Sequence, residues 1–197
     1  MKVLGLCGGS GAGKGIASLC FKKMGIKIID TDSIYHQLTS CDTPCLREIG
    51  NAFGQDVISN NTLNRRMLAN IVFASQEKLL LLNNITHKHI LNVVKTEIAT
   101  AKKQSYKGVV IDAPVLFESG FDQECDFTLC ICSTTENRIE RIIKRDGISK
   151  ENALKRINAQ KSNSWLKENC DYSIDNDSSV EDFETAVLEL ADKIFDK

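Results

Sequence analysis

The chain has 197 residues, 42% of them hydrophobic, eight cysteines and a formal net charge of −1. That length suits one α/β domain with a full core, and the near-neutral charge supplies no global field to draw the chain onto nucleic acid or a membrane. No apolar run approaches the roughly 18 residues of a transmembrane helix. The short apolar N-terminus runs straight into glycines rather than a cleavage site, so the expectation is a cytoplasmic protein.

The cysteines carry no zinc-type C-x-x-C pair, and the chain is not a small secreted one. Most read as small buried hydrophobes with free thiols. Cys130 and Cys132, two apart in an apolar run, should share one face of a strand.

In chain order, Val3-Leu4-Gly5-Leu6-Cys7 is a continuous apolar run stopped by glycines, which predicts a buried strand. Gly8-Gly9-Ser10-Gly11-Ala12-Gly13-Lys14 follows and opens a helix over 14–24, with Ile16, Ala17, Leu19, Cys20 and Met24 expected on one face. A strand, a glycine loop ending in Lys, and a helix form the setting of a P-loop. Its backbone N–H groups converge on phosphate oxygens, aided by the helix N-terminus. Lys14 then reaches the β- and γ-phosphates as a point charge. Gly9, Ser10, Gly11, Ala12, Gly13, Lys14, Gly15 and Ile16 are therefore candidate ATP contacts. One position departs from the motif: Gly15 stands where a Ser or Thr hydroxyl would bind Mg²⁺. Losing one ligand to a charged group costs about 1.5–3 kcal/mol. Enzymes lower their barriers by about 8–23 kcal/mol. The change should slow a kinase without abolishing it.

A second strand over 27–30 runs into Asp30-Thr31-Asp32. At the carboxyl end of a strand, Asp32 would stand opposite the loop, placed to orient or deprotonate an acceptor hydroxyl. Asp30 is then expected to turn into the fold. Alternatively, Thr31 or Asp32 caps a helix beginning near Ser33. The 33–106 stretch is mostly helical, with helices over 63–73 and 79–103. It reads as a substrate-binding insertion in a single domain. A third strand over 108–112 ends in Asp112, which holds a Mg²⁺ water or bonds to the loop backbone. A fourth follows over 127–132. Arg138, Arg141 and Arg145 recur at i, i+3 and i+7 on one helix face, beside an Asp146-Gly147 turn. Arg141 is the cation expected over the triphosphate, and Arg138 is expected to face solvent. A fifth strand over 172–174 and an amphipathic helix over 180–194 complete the pattern. Strands alternating with helices predict an α/β P-loop fold, a three-layer α/β/α arrangement on a five-stranded parallel sheet, with a small lid over about 141–165. His36, His87 and His89 lack metal-ligand spacing.

Several segments together resemble the dephospho-coenzyme A kinases over nearly the whole chain. They are Gly-Leu-Cys-Gly-Gly-Ser-Gly-Ala-Gly-Lys at 5–14, Ile-Asp-Thr-Asp at 29–32, Phe-Gly-Gln-Asp-Val-Ile at 53–58 and Leu-Asn-Arg-Arg-Met-Leu at 63–68. Ile-Val-Phe at 71–73, Asp-Ala-Pro-Val-Leu-Phe-Glu at 112–118, Arg-Asp-Gly-Ile-Ser at 145–149, Arg-Ile-Asn-Ala-Gln at 156–160 and Asp-Asn at 175–176 continue the series. The resemblance implies phosphorylation of the ribose 3′-hydroxyl of dephospho-coenzyme A by MgATP, the last step of coenzyme A synthesis. It implies Asp32 as the catalytic carboxylate, with Lys14 and Arg141 beside it. Arg65, His87 and Glu118 then fall on the acceptor side, and Gln160 and Asn176 at the nucleotide. The partner implied is a small molecule, the chain being a monomer or a weak homo-oligomer. Three positions differ from the family pattern: Gly15, His87-Lys88 in place of His-Pro, which should alter an acceptor-site turn, and Asn60-Asn61 in place of an Asp-Gly turn. Another small-molecule or nucleotide kinase, or a nucleotide-binding paralogue weakened at Gly15, stays open as an alternative.

Overall fold

The computed structural model describes residues 1–196. The elements in chain order are β1 (Lys2–Cys7), α1 (Lys14–Lys23), β2 (Lys27–Asp30), α2 (Thr31–Leu38), α3 (Pro44–Phe53), β3 (Ile58–Ser59), β4 (Thr62–Leu63) and α4 (Arg65–Val72). They continue with α5 (Gln76–Lys103), β5 (Gly108–Asp112), β6 (Phe127–Cys132), α6 (Thr135–Asp146), α7 (Lys150–Asn158), α8 (Asn163–Asn169), β7 (Tyr172–Asp175) and α9 (Val180–Phe195). The chain forms two compact units: Met1–Ile29 with the residues from Ala99 onward, and Asp30–Ile98.

The first unit is built on a five-stranded sheet in the order β2-β5-β1-β6-β7. β1 pairs parallel with β5 and β6, and β6 pairs parallel with β7. All five predicted strands are present. Their central members are apolar throughout because helices cover both faces: Val3 to Cys7, Val109 to Ile111 and Leu129 to Cys132 are all buried. Strand order reverses on either side of β1, so the crevice of this open sheet lies at the carboxyl end of β1. The glycine loop begins there.

Helices α1 and α9 share one apolar cluster with the sheet, built on Ala17, Cys20, Phe21, Phe183, Val187, Ala191 and Ile194. Leu19, expected on the buried face of α1, is 58% exposed. Positions 17, 20, 21 and 24 follow one face at helical spacing, and position 19 points about 200° away from position 17. A small separate cluster of Ile139, Ile142, Ala153 and Ile157 joins α6 to α7. The eight cysteines are free thiols. Cys130 and Cys132 share a face as expected, with sulfurs 3.8 Å apart.

The second unit has its own core, including Cys45, Leu46, Ile49, Leu63, Leu68, Val72 and Leu82. It spans Asp30–Ile98, and α5 continues past Ile98 into the first unit. Asn60 (φ 51°) and Asn61 (φ 57°) turn the β3–β4 hairpin, the left-handed pair that a two-residue type I′ loop demands. α3 was not anticipated, although Thr43 caps it and Pro44 opens it. At His87-Lys88, where the acceptor-site turn was expected to differ, α5 runs unbroken. Nothing there breaks a helix, since Lys replaces the proline that would. Lys88 Nζ and His89 Nε2 instead bond to Glu48, at 3.0 Å and 2.7 Å. Among the described residues no helix is long and apolar enough to cross a membrane.

Candidate active site

The loop after β1 carries positive φ at Gly8, Gly11 and Gly13, the last of them the N-cap of α1 at φ 112°. A side chain there would strain the backbone. The N–H groups opening α1 precede any intrahelical partner and present the positive end of the helix dipole. Lys14 Nζ lies 3.8 Å from the carboxylate of Asp112, both side chains 17% exposed. Asp112 also accepts a 2.8 Å bond from Ser18 Oγ. Sequence reasoning missed Ser18. Its signal was available, since a residue four after Lys14 shares its helix face. A Cβ added at Gly15 would meet nothing within 4 Å, so the missing hydroxyl leaves open space rather than a filled one.

Distant segments hold the loop from behind. Asn176, 4% exposed, donates from Nδ2 to the Ala12 carbonyl at 2.7 Å. Arg141 donates to the Gly11 carbonyl at 3.2 Å, to Ser133 Oγ at 3.2 Å and to the Asn176 carbonyl at 2.9 Å. Gln160 accepts the Ser10 N–H at 2.9 Å. Arg141, Gln160 and Asn176, singled out in the sequence, thus meet at the loop and touch its backbone directly. Arg138, expected in solvent, is buried, with Nε 2.9 Å from the Ser10 carbonyl. Helical spacing put it on the Arg141 face, and that face is the covered one. Arg145, one turn further on, is exposed and pairs with Asp146 at 2.7 Å. Gly147 adopts φ 66° as the C-cap of α6, so the Asp146-Gly147 turn is a helix stop.

Asp177 was also missed. It takes Ser133 Oγ at 2.6 Å, Thr134 N–H at 2.9 Å and Asn137 Nδ2 at 2.9 Å, and so fastens the start of α6. Partial burial pushes its carboxyl up, but these donors outweigh that and hold it at about 2. Glu118 is exposed and lines an open cleft with Cys7, Gly8, Gly9, Phe117 and Gln160.

In the second unit the cap of α2 is Asp30, which accepts from Asp32 N–H at 2.9 Å and Ser33 N–H at 3.1 Å. The helix starts at Thr31, and Asp30 is exposed rather than turned inward, because its carboxylate is spent on those N–H groups. Asp32 is exposed in the first turn and lines a shallow depression with Ser33, His36 and Gln37. Arg65 donates to Thr39 Oγ1 at 3.0 Å and lies 5.0 Å over the Tyr35 ring. His87 is half-buried on α5.

Residues 2–182 match the family model described as dephospho-CoA kinase. The dephospho-CoA kinase of Lactobacillus johnsonii is 38% identical across 97% of this chain and 97% of its own length. That of Oryza sativa subsp. japonica is 35% identical across 92% of this chain and 80% of its own. Among solved structures, one from Thermus thermophilus superposes with a TM-score of 0.83 at 24% identity, covering 98% of this chain and 97% of the other. A shikimate kinase from Bacteroides thetaiotaomicron superposes at 0.56 and 12% identity, over 96% and 97%. At such identities these structures speak for the P-loop kinase fold alone. With the loop, its lysine and the sheet crevice in place, the family match extends over most of the chain: it belongs to the dephospho-CoA kinase family.

Proposed function

We propose that the loop around Lys14 holds the triphosphate of ATP while the chain phosphorylates dephospho-coenzyme A, the reaction of its family and the last step of coenzyme A synthesis. The observation that carries this reading is the loop itself: left-handed glycines follow β1 and lead into a helix that opens on Lys14. Phosphoryl transfer needs little covalent help and depends on positioning and charge stabilisation. Lys14 supplies a point charge to the β- and γ-phosphates. Arg141 fixes the loop and adds a second cation. In this reading Asp32 takes the proton of the ribose 3′-hydroxyl as that oxygen attacks the γ-phosphorus, and the ADP oxygen leaves in line. Arg65, His87 and Glu118 serve the acceptor, and residues 33–106 act as its binding insertion within one kinase domain.

Asp112, with Ser18 Oγ on its carboxylate, is a hard oxygen donor that suits Mg²⁺ held through water. When bound, the metal neutralises charge between the β- and γ-phosphates. We place the protein in the cytoplasm with these small molecules, as a monomer or weak homo-oligomer. The test is a coupled assay of ADP release with MgATP, comparing dephospho-coenzyme A with a panel of nucleosides and nucleoside monophosphates. Turnover confined to dephospho-coenzyme A is expected. A preferred nucleoside monophosphate, or no ADP release with any acceptor, would sink the reading.

A further inference from the structure

Arg138 is the one charged side chain among the described residues that is fully buried, 4% exposed. Its hydrogen bonds go to neutral groups: Nε to the Ser10 carbonyl and Nη2 to Gln160 Oε1, each 2.9 Å. Gln160 Oε1 also takes the Ser10 N–H at 2.9 Å, and Gln160 Nε2 lies 3.2 Å from Ser10 Oγ. Every polar group of Ser10, at the middle of the glycine loop, is therefore held by these two side chains. The contact is tight enough to dictate the loop composition. A Cβ at Gly9 would stand 2.1 Å from Arg138 Nη2, and one at Gly11 would stand 2.7 Å from the Arg138 carbonyl.

A buried guanidinium is costly unless an opposite charge compensates it. Here a carbonyl and an amide satisfy its geometry but not its charge, and burial draws its pKa down. The anion-binding loop lies directly against it. We propose that Arg138 is a positioning residue for ATP: with Gln160 it clamps Ser10 in the phosphate-binding conformation and sets a fixed positive charge behind the triphosphate. This rests on reading the loop as the ATP site. Arg138 is not a catalytic residue, because it acts through Ser10 and through its field.

Arg138→Gln keeps an amide donor but removes the charge and the fork. Arg138→Lys keeps the charge but cannot bridge Ser10 and Gln160 together. The measurements are ATP affinity by calorimetry, KM for each substrate, kcat and thermal unfolding, for both variants, Gln160→Ala and the double variants. A hydrogen bond to a charged group sets the scale, so Arg138→Gln should weaken ATP binding and raise its KM about 10- to 100-fold. KM for dephospho-coenzyme A should stay within about twofold. Arg138→Lys should fall between Arg138→Gln and the wild type. Its effect should be less than additive with Gln160→Ala, because one clamp is broken either way. Wild-type ATP affinity in a folded Arg138→Gln overturns the proposal. So does a parallel rise in both KM values with a lowered unfolding temperature, which marks a merely structural role. If Arg138→Gln does not fold, Arg138→Lys decides: an unchanged KM for ATP overturns the proposal, and a selective rise supports it. A wild-type protein that does not bind ATP would instead overturn the loop reading, and this inference with it.

Discussion

The glycine loop and the Asp30-Thr31-Asp32 segment each close a strand, yet their polar groups are held in different ways. Ser10, Gly11 and Ala12 are bonded by Arg138, Gln160, Arg141 and Asn176, which lie between 128 and 164 residues away. Asp30 bonds to N–H groups only two and three residues ahead. Arg65, in the same unit as Asp30, reaches 26 residues back to Thr39. A loop fixed by distant parts of the chain is complete only when the sheet and α6 are folded, and it then stands ready before ATP arrives. The Asp30 cap needs no distant partner, and Asp32 is exposed in the first turn. Preorganisation on the phosphate side should make its residues matter for stability and ATP affinity together. Local capping should let Asp32 be changed with little cost to the fold.

The sharpest break of this contrast is Asp32→Asn. The change keeps size and most hydrogen bonding but removes charge and basicity. General-base assistance contributes about 10²–10⁴-fold, so turnover should fall by that order with ATP affinity and unfolding temperature unchanged. Asp30→Ala should do the reverse, costing about 1 kcal/mol of stability through the lost cap. Near-normal turnover in Asp32→Asn would remove it from the chemistry.

Asn176→Ala tests the other side and should have a smaller effect. Ala12 is fully buried, and its carbonyl would lose the Asn176 Nδ2 donor. Leaving a buried acceptor without that partner costs about 1–3 kcal/mol. Denaturant unfolding should show that loss, and KM for ATP should rise with it. Unchanged stability with weakened ATP binding would mean that Asn176 touches nucleotide rather than tying the loop.

The five strands were legible because buried parallel strands are unbroken apolar runs, and the loop was legible because its spacing is a motif. The same reading put Arg138 in solvent. Helical periodicity gives which residues share a face, but not which face another segment covers. Here that segment is a glycine-rich loop, and it meets Arg138 through the Ser10 backbone carbonyl, which no side-chain pattern marks. Asp177 escaped for a related reason: its partners Ser133, Thr134 and Asn137 lie about forty residues back, and no local pattern links them. Asp30 was misassigned against Asp32 because either carboxylate can cap, and only the first helical N–H decides which. The acceptor-side roles of Arg65, His87 and Glu118 came from family resemblance, since isolated polar residues outside the core carry no periodic signal.

The smallest expected effect isolates one long-range tie by its titration. Asp177 holds the start of α6, the helix that carries Arg138 and Arg141. Its folded pKa, about 2, lies below the ordinary value of 3.8 because Ser133, the Thr134 N–H and Asn137 outweigh the rise from partial burial. The depressed carboxyl means that the unfolded chain binds more protons across this window. The stabilisation is therefore present in full above the ordinary value and is lost as pH falls through about 2. The side chain is exposed, so solvent screening limits the contribution to about 1 kcal/mol or less. Asp177→Asn keeps an acceptor for the Thr134 N–H but does not titrate. Wild type should then exceed the variant in stability near neutral pH, and the gap should close as pH falls toward about 2. Asp146, also lowered to about 2 with Arg145 and Arg156 beside it, titrates in both proteins and cancels in the difference. Urea unfolding of the two proteins across this range gives the comparison directly. A gap that stays flat would show that the Asp177 charge does not stabilise α6, and that its neutral hydrogen bonds alone hold the helix start.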